Sequence, residues 1–160
     1  MSLLRAPLAA GIICAASLFS IAQAEPVKNH VIVNLEEIKW GAGPAALPHG
    51  AESVVLYGDP SNEGLFAMRL KVPKGYRIPP HTHSKPEIVT VISGATRLGM
   101  GETADEKKTK SFKQGGFMAM PPGMAHFVYV EEDTVIQLNS VGPWEINYIN
   151  PTDDPRRKTQ

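Results

Sequence analysis

The chain has 160 residues, and its sixteen Lys and Arg are balanced by sixteen Asp and Glu. That balance argues against a strongly basic nucleic-acid binder and against an acidic solvating tail. The length suits about one domain, and an apolar content of 42% is ordinary for a globular chain.

The apolar residues are unevenly spread, and 17 of them fall in the first 24 positions. Arg5 supplies a positive charge ahead of an uncharged run over residues 6–19, and Ala22-Gln23-Ala24 follows with the small-x-small pattern read by signal peptidase. Residues 1–24 are therefore expected to be a secretory signal cleaved after Ala24, delivering a 25–160 domain to the periplasm or beyond. The run is short for a permanent span, and no second long apolar stretch follows it, so no stable membrane insertion is expected. No twin arginine precedes the run, which points to export of an unfolded chain. A metal would then be loaded outside the cytoplasm, where competition favours Zn²⁺ or Cu²⁺. Cys14 is the single cysteine and lies inside this segment. The mature chain then has none, which excludes disulfides, thiolate metal sites and cysteine nucleophiles.

Beyond residue 24 the pattern is all-β. Short runs rich in Val, Ile and aromatics predict strands at 30–35, 54–57, 65–72, 88–93, 96–100, 117–120, 127–130, 134–139 and 145–149. A Gly/Pro/Ala loop occupies 41–50, and Gly58-Asp59-Pro60-Ser61-Asn62 is a turn. Turn signals recur roughly every 10 residues, the spacing of a sandwich or closed barrel. One stretch departs from this. Residues 102–110 are charged, and Thr103-Ala104-Asp105-Glu106 matches a capping box, so a short helical turn or a mobile loop is expected near 103–109. Lys107, Lys108, Lys110 and Lys113 read as a solvated face, as does the charged tail at 153–158.

The chemistry concentrates in the segment from Gly75 to Gly94. His81 and His83 are two apart, so on an extended chain their imidazoles project to one side. Pro86 lets the chain turn, and Glu87 opens the next strand. Two imidazoles and a carboxylate are a facial ligand set for a divalent metal. His126, just after the Pro121-Pro122-Gly123 turn, is a fourth candidate that a neighbouring strand would bring to the same centre. Three His and one Glu with space for water or substrate form an open, potentially catalytic site.

The arrangement resembles the cupin superfamily. Its first motif is matched at every fixed position by Gly75, His81, His83, Glu87 and Gly94, and its second by Gly115, Pro121, Gly123 and His126. The last position of the second motif departs, with Val130 in place of Asn. The resemblance covers about residues 54–140. It implies a single-domain jelly-roll β-barrel and one divalent metal (Fe, Mn, Ni or Zn) bound by His81, His83, Glu87 and His126. It further implies dioxygenase, decarboxylase or isomerase chemistry on a small organic molecule. Glu87 would double as a proton shuttle if it left the metal. The alternative is a non-catalytic periplasmic cupin that binds a small molecule or a metal. Cupins commonly dimerise through an outer strand, and residues 31–35 offer one for a homodimer.

Strand parity extends the site. Glu87, Val89 and Val91 share a face, as do His126, Val128 and Val130. Met118 and Met120 alternate with Met124 nearby; thioether ligation of copper would want a denser soft set, so core filling is the reading. Arg77 shares the parity of Pro79 and His81 and is a candidate partner for a substrate carboxylate. Met120, Val130 and Gln137 complete the expected pocket, although Gln137 and Asn139 fit a solvent face equally well. Arg69 and Lys71 mark an outer face. His30 and His49 have no partner pattern and read as surface residues. The sequence contains no Gly-x-Ser-x-Gly elbow, phosphate loop or Gly-x-Gly-x-x-Gly.

Overall fold

A computed structural model describes residues 30–157. The expected signal segment with Cys14 and its cleavage site lie outside the described residues. Eleven strands form two antiparallel sheets. The strands are β1 (Gly41–Ala42), β2 (Glu52–Tyr57), β3 (Gly64–Val72), β4 (Arg77–Thr82), β5 (Glu87–Ser93), β6 (Ala95–Met100), β7 (Thr109–Lys113), β8 (Phe117–Met120), β9 (His126–Val130), β10 (Thr134–Gly142) and β11 (Asn147–Tyr148). One sheet has the order β1-β2-β3-β10-β5-β8 and the other β11-β4-β9-β6-β7. From β3 onward the chain crosses repeatedly between them, which is the jelly-roll manner of burying two apolar faces at once. Hydrogen bonding runs within each sheet and closes no ring, so the barrel is a two-sheet one with open edges.

Period-two alternation builds the core. In β3, Phe66, Met68, Leu70 and Val72 are buried, while Arg69 and Lys71 face outward as their parity requires. Val89 and Val91 of β5 and Leu138 of β10 join them, and Ile78, Leu98 and Phe112 pack against this cluster from the opposite sheet. Phe127 is 1% exposed and lies so close to Gly99 that a Cβ there would enter its ring.

Three local expectations are corrected. Residues 30–35 form no strand; Leu35–Glu37 is a 3-10 turn, entered by a hydrogen bond from the Asn34 N–H to Glu37 Oε2 (2.6 Å). Val31, Ile32, Val33 and Leu35 are exposed. β propensity expresses itself only against a pairing partner, and among the described residues this segment has none. The 3-10 turn in the charged stretch is Glu106–Lys108, capped by Asp105 instead of Thr103, with Asp105 Oδ1 accepting from the Lys107 N–H. β7 follows it directly. It is a lysine-bearing edge strand, and such charge on an edge hides a strand from a hydropathy reading. Further 3-10 turns occur at Pro151–Asp153 and Pro155–Arg157.

Candidate metal centre

Four side chains from three strands and one loop converge at one end of the core. His81 lies near the end of β4 and stands opposite His126, the first residue of β9, in the strand register. Glu87 opens β5 in the facing sheet. His83 sits in the crossing between the sheets. The Gly123 N–H donates to the His83 carbonyl (2.8 Å), tying the Pro-x-Gly turn to the His-x-His segment. All four residues are buried, with 1–5% exposure.

The donor geometry is specific. His81 Nδ1 donates to the Pro79 carbonyl (2.7 Å), His83 Nδ1 to the Glu145 carbonyl (2.6 Å) and His126 Nδ1 to the Met124 carbonyl (3.0 Å). A carbonyl only accepts, so each Nδ1 carries a proton, and in the neutral imidazole that leaves the lone pair on Nε2. Backbone carbonyls of this kind are the usual outer supports that fix the tautomer and orientation of metal-binding histidines. The three imidazoles offer ligand atoms within 4.8 Å of one another. His83 Nε2 lies 3.4 Å from Glu87 Oε1, and His126 Nε2 lies 3.6 Å from Glu87 Oε2. His83 Nε2 is buried with no hydrogen-bond partner. An orphaned lone pair beside two further imidazoles and a carboxylate fits a divalent cation.

The electrostatics agree. Burial, with His126 beside it, pushes the His81 pKa down to about 3. Burial also lowers His83, against the pull of Glu87. Burial alone would raise the Glu87 carboxyl; the adjacent His126 and His83 outweigh it and hold the group below the usual carboxylate range. Neutral His81 and His83 beside an ionised carboxylate are the protonation states a cation requires.

This has a measurable consequence for the metal-free protein. The His81 pKa is depressed in the folded state, so below about 6.5 the unfolded chain takes up a proton that the native state refuses. Stability is then complete above that pH and falls as pH drops toward 3. Between pH 7 and 5, His81 alone contributes a loss of about 2 kcal/mol. Urea unfolding of chelator-treated protein at the two pH values tests this, with His81→Gln expected to flatten the slope. A flat profile in the parent would contradict it.

Next to the four residues lies a small cavity of about 60 Å³. Its walls are chiefly aliphatic side chains and methionines from both sheets, with Trp144 and Ile146 from the segment before β11. Met120 and Val130 line it. Val130 is 5% exposed and packs with Val72 and Tyr76, so the departure from the motif Asn makes that end of the cavity apolar. Arg77 lies outside it. The ladder between β4 and β9 slips between Ile78 and His81, across Pro79-Pro80, so Ile78 instead of Arg77 shares the inner face with His81. Arg77 is exposed, its guanidinium 5.1 Å above the Tyr129 ring. Gln137 also faces away and accepts from Arg69 Nε (3.2 Å), while its neighbours Ile136 and Leu138 reach the cavity. His30 and His49 are exposed.

Two residues that sequence reading passed over shape the site. Trp144 stacks on His83 with ring centroids 5.6 Å apart and planes 20° apart. Glu145 supplies the carbonyl that fixes the His83 tautomer. A cis or trans turn signal at Gly142-Pro143 carries no hint of that contact; only the 62-residue return of the chain creates it.

The family model for cupins matches residues 59–140. The chain belongs to the cupin family. Among curated relatives, germin-like protein subfamily 2 member 1 of Arabidopsis thaliana is 34% identical over 83 residues, covering 51% of this cupin and 37% of the relative. Germin-like protein 3-1 of Oryza sativa subsp. japonica is 31% identical over 68 residues, covering 42% and 30%. The aligned stretch thus spans about a third of the length of these relatives. Among solved structures, the polyketide cyclase RemF of Streptomyces resistomycificus superposes with a TM-score of 0.62 at 18% identity, over 82% of this cupin and 94% of that chain. An RmlC-like cupin of Shewanella frigidimarina gives 0.55 at 15% identity, over 71% and 91%. At those identities the likeness is one of fold. Among the described residues no helix is long and apolar enough to cross a membrane.

Proposed function

We propose that this cupin is a metal-dependent enzyme acting on a small organic molecule, with one divalent metal (Fe, Mn, Ni or Zn) held by His81, His83, Glu87 and His126. The reading rests above all on three buried imidazoles whose Nδ1 atoms are spent on carbonyls and whose ligand atoms lie within 4.8 Å of one another, with Glu87 beside His83 and His126. When bound, such a metal supplies Lewis-acid polarisation of an oxygen or, for a redox-active ion, oxygen chemistry. The reaction class is dioxygenase, decarboxylase or isomerase.

The chain's own groups have distinct parts in this. The Pro79, Glu145 and Met124 carbonyls orient the imidazoles before any ligand arrives. The aliphatic walls exclude water and strengthen every charge interaction inside. Glu87, whose carboxyl the adjacent His126 and His83 hold below the usual range, serves as a metal ligand and, if released, as a proton shuttle that accepts a proton and then passes it on. The protein works outside the cytoplasm as a mature chain beginning at Glu25.

Elemental analysis and intact mass of the protein recovered from its native compartment test the reading together. The expected result is about one Fe, Mn, Ni or Zn per chain with Glu25 as the first residue. Protein that contains no metal and retains none of the four after dialysis against each would overturn the metal centre.

A further inference from the structure

The cavity walls include eight residues with polar side-chain atoms, and nearly all of those atoms are already committed. Tyr76 donates its hydroxyl to the Pro48 carbonyl. Thr96 donates to the Tyr129 carbonyl (3.1 Å), and Thr134 to the Ala95 and Glu132 carbonyls (3.0 and 2.7 Å). The histidines and Glu87 are arranged about the proposed metal. One donor remains. Trp144 Nε1 is buried and has no hydrogen-bond partner. Leaving an indole N–H dry and unpaired is costly, and a ligand acceptor would recover that cost.

The two orphaned nitrogens of this region are His83 Nε2 and Trp144 Nε1. One is a lone pair and the other a proton, and they belong to rings stacked on each other. A cation satisfies the first. An oxygen bound beside that cation satisfies the second. Trp144 is held for this: its backbone N–H donates to the Pro60 carbonyl (2.7 Å), and the next residue's carbonyl grips His83.

Charge and size narrow the ligand. A divalent ion with the Glu87 carboxylate leaves one net positive charge in an apolar enclosure, where an unbalanced charge is costly. A monoanion neutralises it. The volume of about 60 Å³ accommodates on the order of four water-sized groups, and the walls are aliphatic. We infer that the site takes a short aliphatic monoanion, a carboxylate or an enolate, and that Trp144 is its specificity-determining residue, donating its indole N–H to the anionic oxygen. This rests on the metal-centre reading above.

The test uses zinc-loaded protein, which is diamagnetic, with propionate as probe and propionamide as its neutral counterpart. The chain has two tryptophans, so two indole N–H signals appear in a ¹H–¹⁵N spectrum, and Trp40→Phe assigns them. Propionate is expected to shift the Trp144 indole proton downfield. It should bind about tenfold more weakly to Trp144→Phe, which keeps a ring on His83, while zinc affinity stays unchanged. Propionamide should bind at least tenfold more weakly than propionate. Equal propionate affinity in Trp144→Phe, an unmoved indole signal on binding, or equal binding of the amide overturns the inference while leaving the metal centre standing. So does zinc uptake with no propionate binding. Failure of the parent to bind zinc overturns the metal centre itself and this inference with it. The spectral test on the parent stands even if Trp144→Phe does not fold.

Discussion

Replacing His126 with alanine lowers divalent-metal affinity by about 100-fold or more, on the reasoning that complete sites yield roughly 10–16 kcal/mol shared among about four ligands. His126 is 1% exposed, so no water-borne group can take over its place cheaply. It is also the candidate ligand that links the two sheets: it faces His81 across the β4–β9 ladder and lies 3.6 Å from Glu87 on the facing sheet. The loss is measurable by competition against a chromophoric chelator. Circular dichroism of the metal-free variant separates it from unfolding, since β9 is paired on both sides, with β4 and β6. An affinity equal to the parent's would remove His126 from the ligand set and leave only His81, His83 and Glu87 as candidates.

The second large effect is structural. Gly94→Ala destabilises the fold by about 3 kcal/mol, whereas Gly75→Ala costs only about 1–2 kcal/mol. Both are motif glycines and both have a positive φ, 81° and 82°. The left-handed backbone penalty is therefore shared. The surroundings are not: a Cβ at Gly94 would run into the Asp133 carbonyl oxygen and lie 2.8 Å from Thr134 Cα, while one at Gly75 meets nothing within 4 Å. Gly94 thus permits the β5–β6 turn to nest against the start of β10. Chemical denaturation of the two variants in parallel decides the matter, and equal losses would show that backbone strain alone accounts for both.

Much of the site was legible because its signals are local. His81 and His83 share a short extended segment, and the spaced glycines mark turns whose left-handed conformation Gly adopts freely. Val89 and Val91 follow Glu87 on the inner face because the pleat has a period of two. The same rule misplaced Arg77. Parity survives only while the ladder is regular, and the slip across Pro79-Pro80 turns Ile78 inward. Gln137 was ambiguous because its parity could be set only by knowing that Ile136 and Leu138 face the cavity, and that depends on which strands flank β10. The predicted strand at residues 30–35 failed for a related reason: strand formation there would need a neighbour that the described fold does not provide.

By itself, then, the sequence determined an all-β chain with a turn every ten residues or so, the two spaced motifs, and the four side chains that the fold gathers at one centre. Their type and spacing along the chain are enough for that. The tertiary structure alone decided which imidazole nitrogen is free, because the proton position on His83 depends on a carbonyl 62 residues away. It alone placed Trp144 on His83, gave Val130 an apolar cavity end, and sent Arg77 to the surface. Those features arise where distant segments return to one another. Long-range packing and ladder slips set them, and neither has a signature in local residue order.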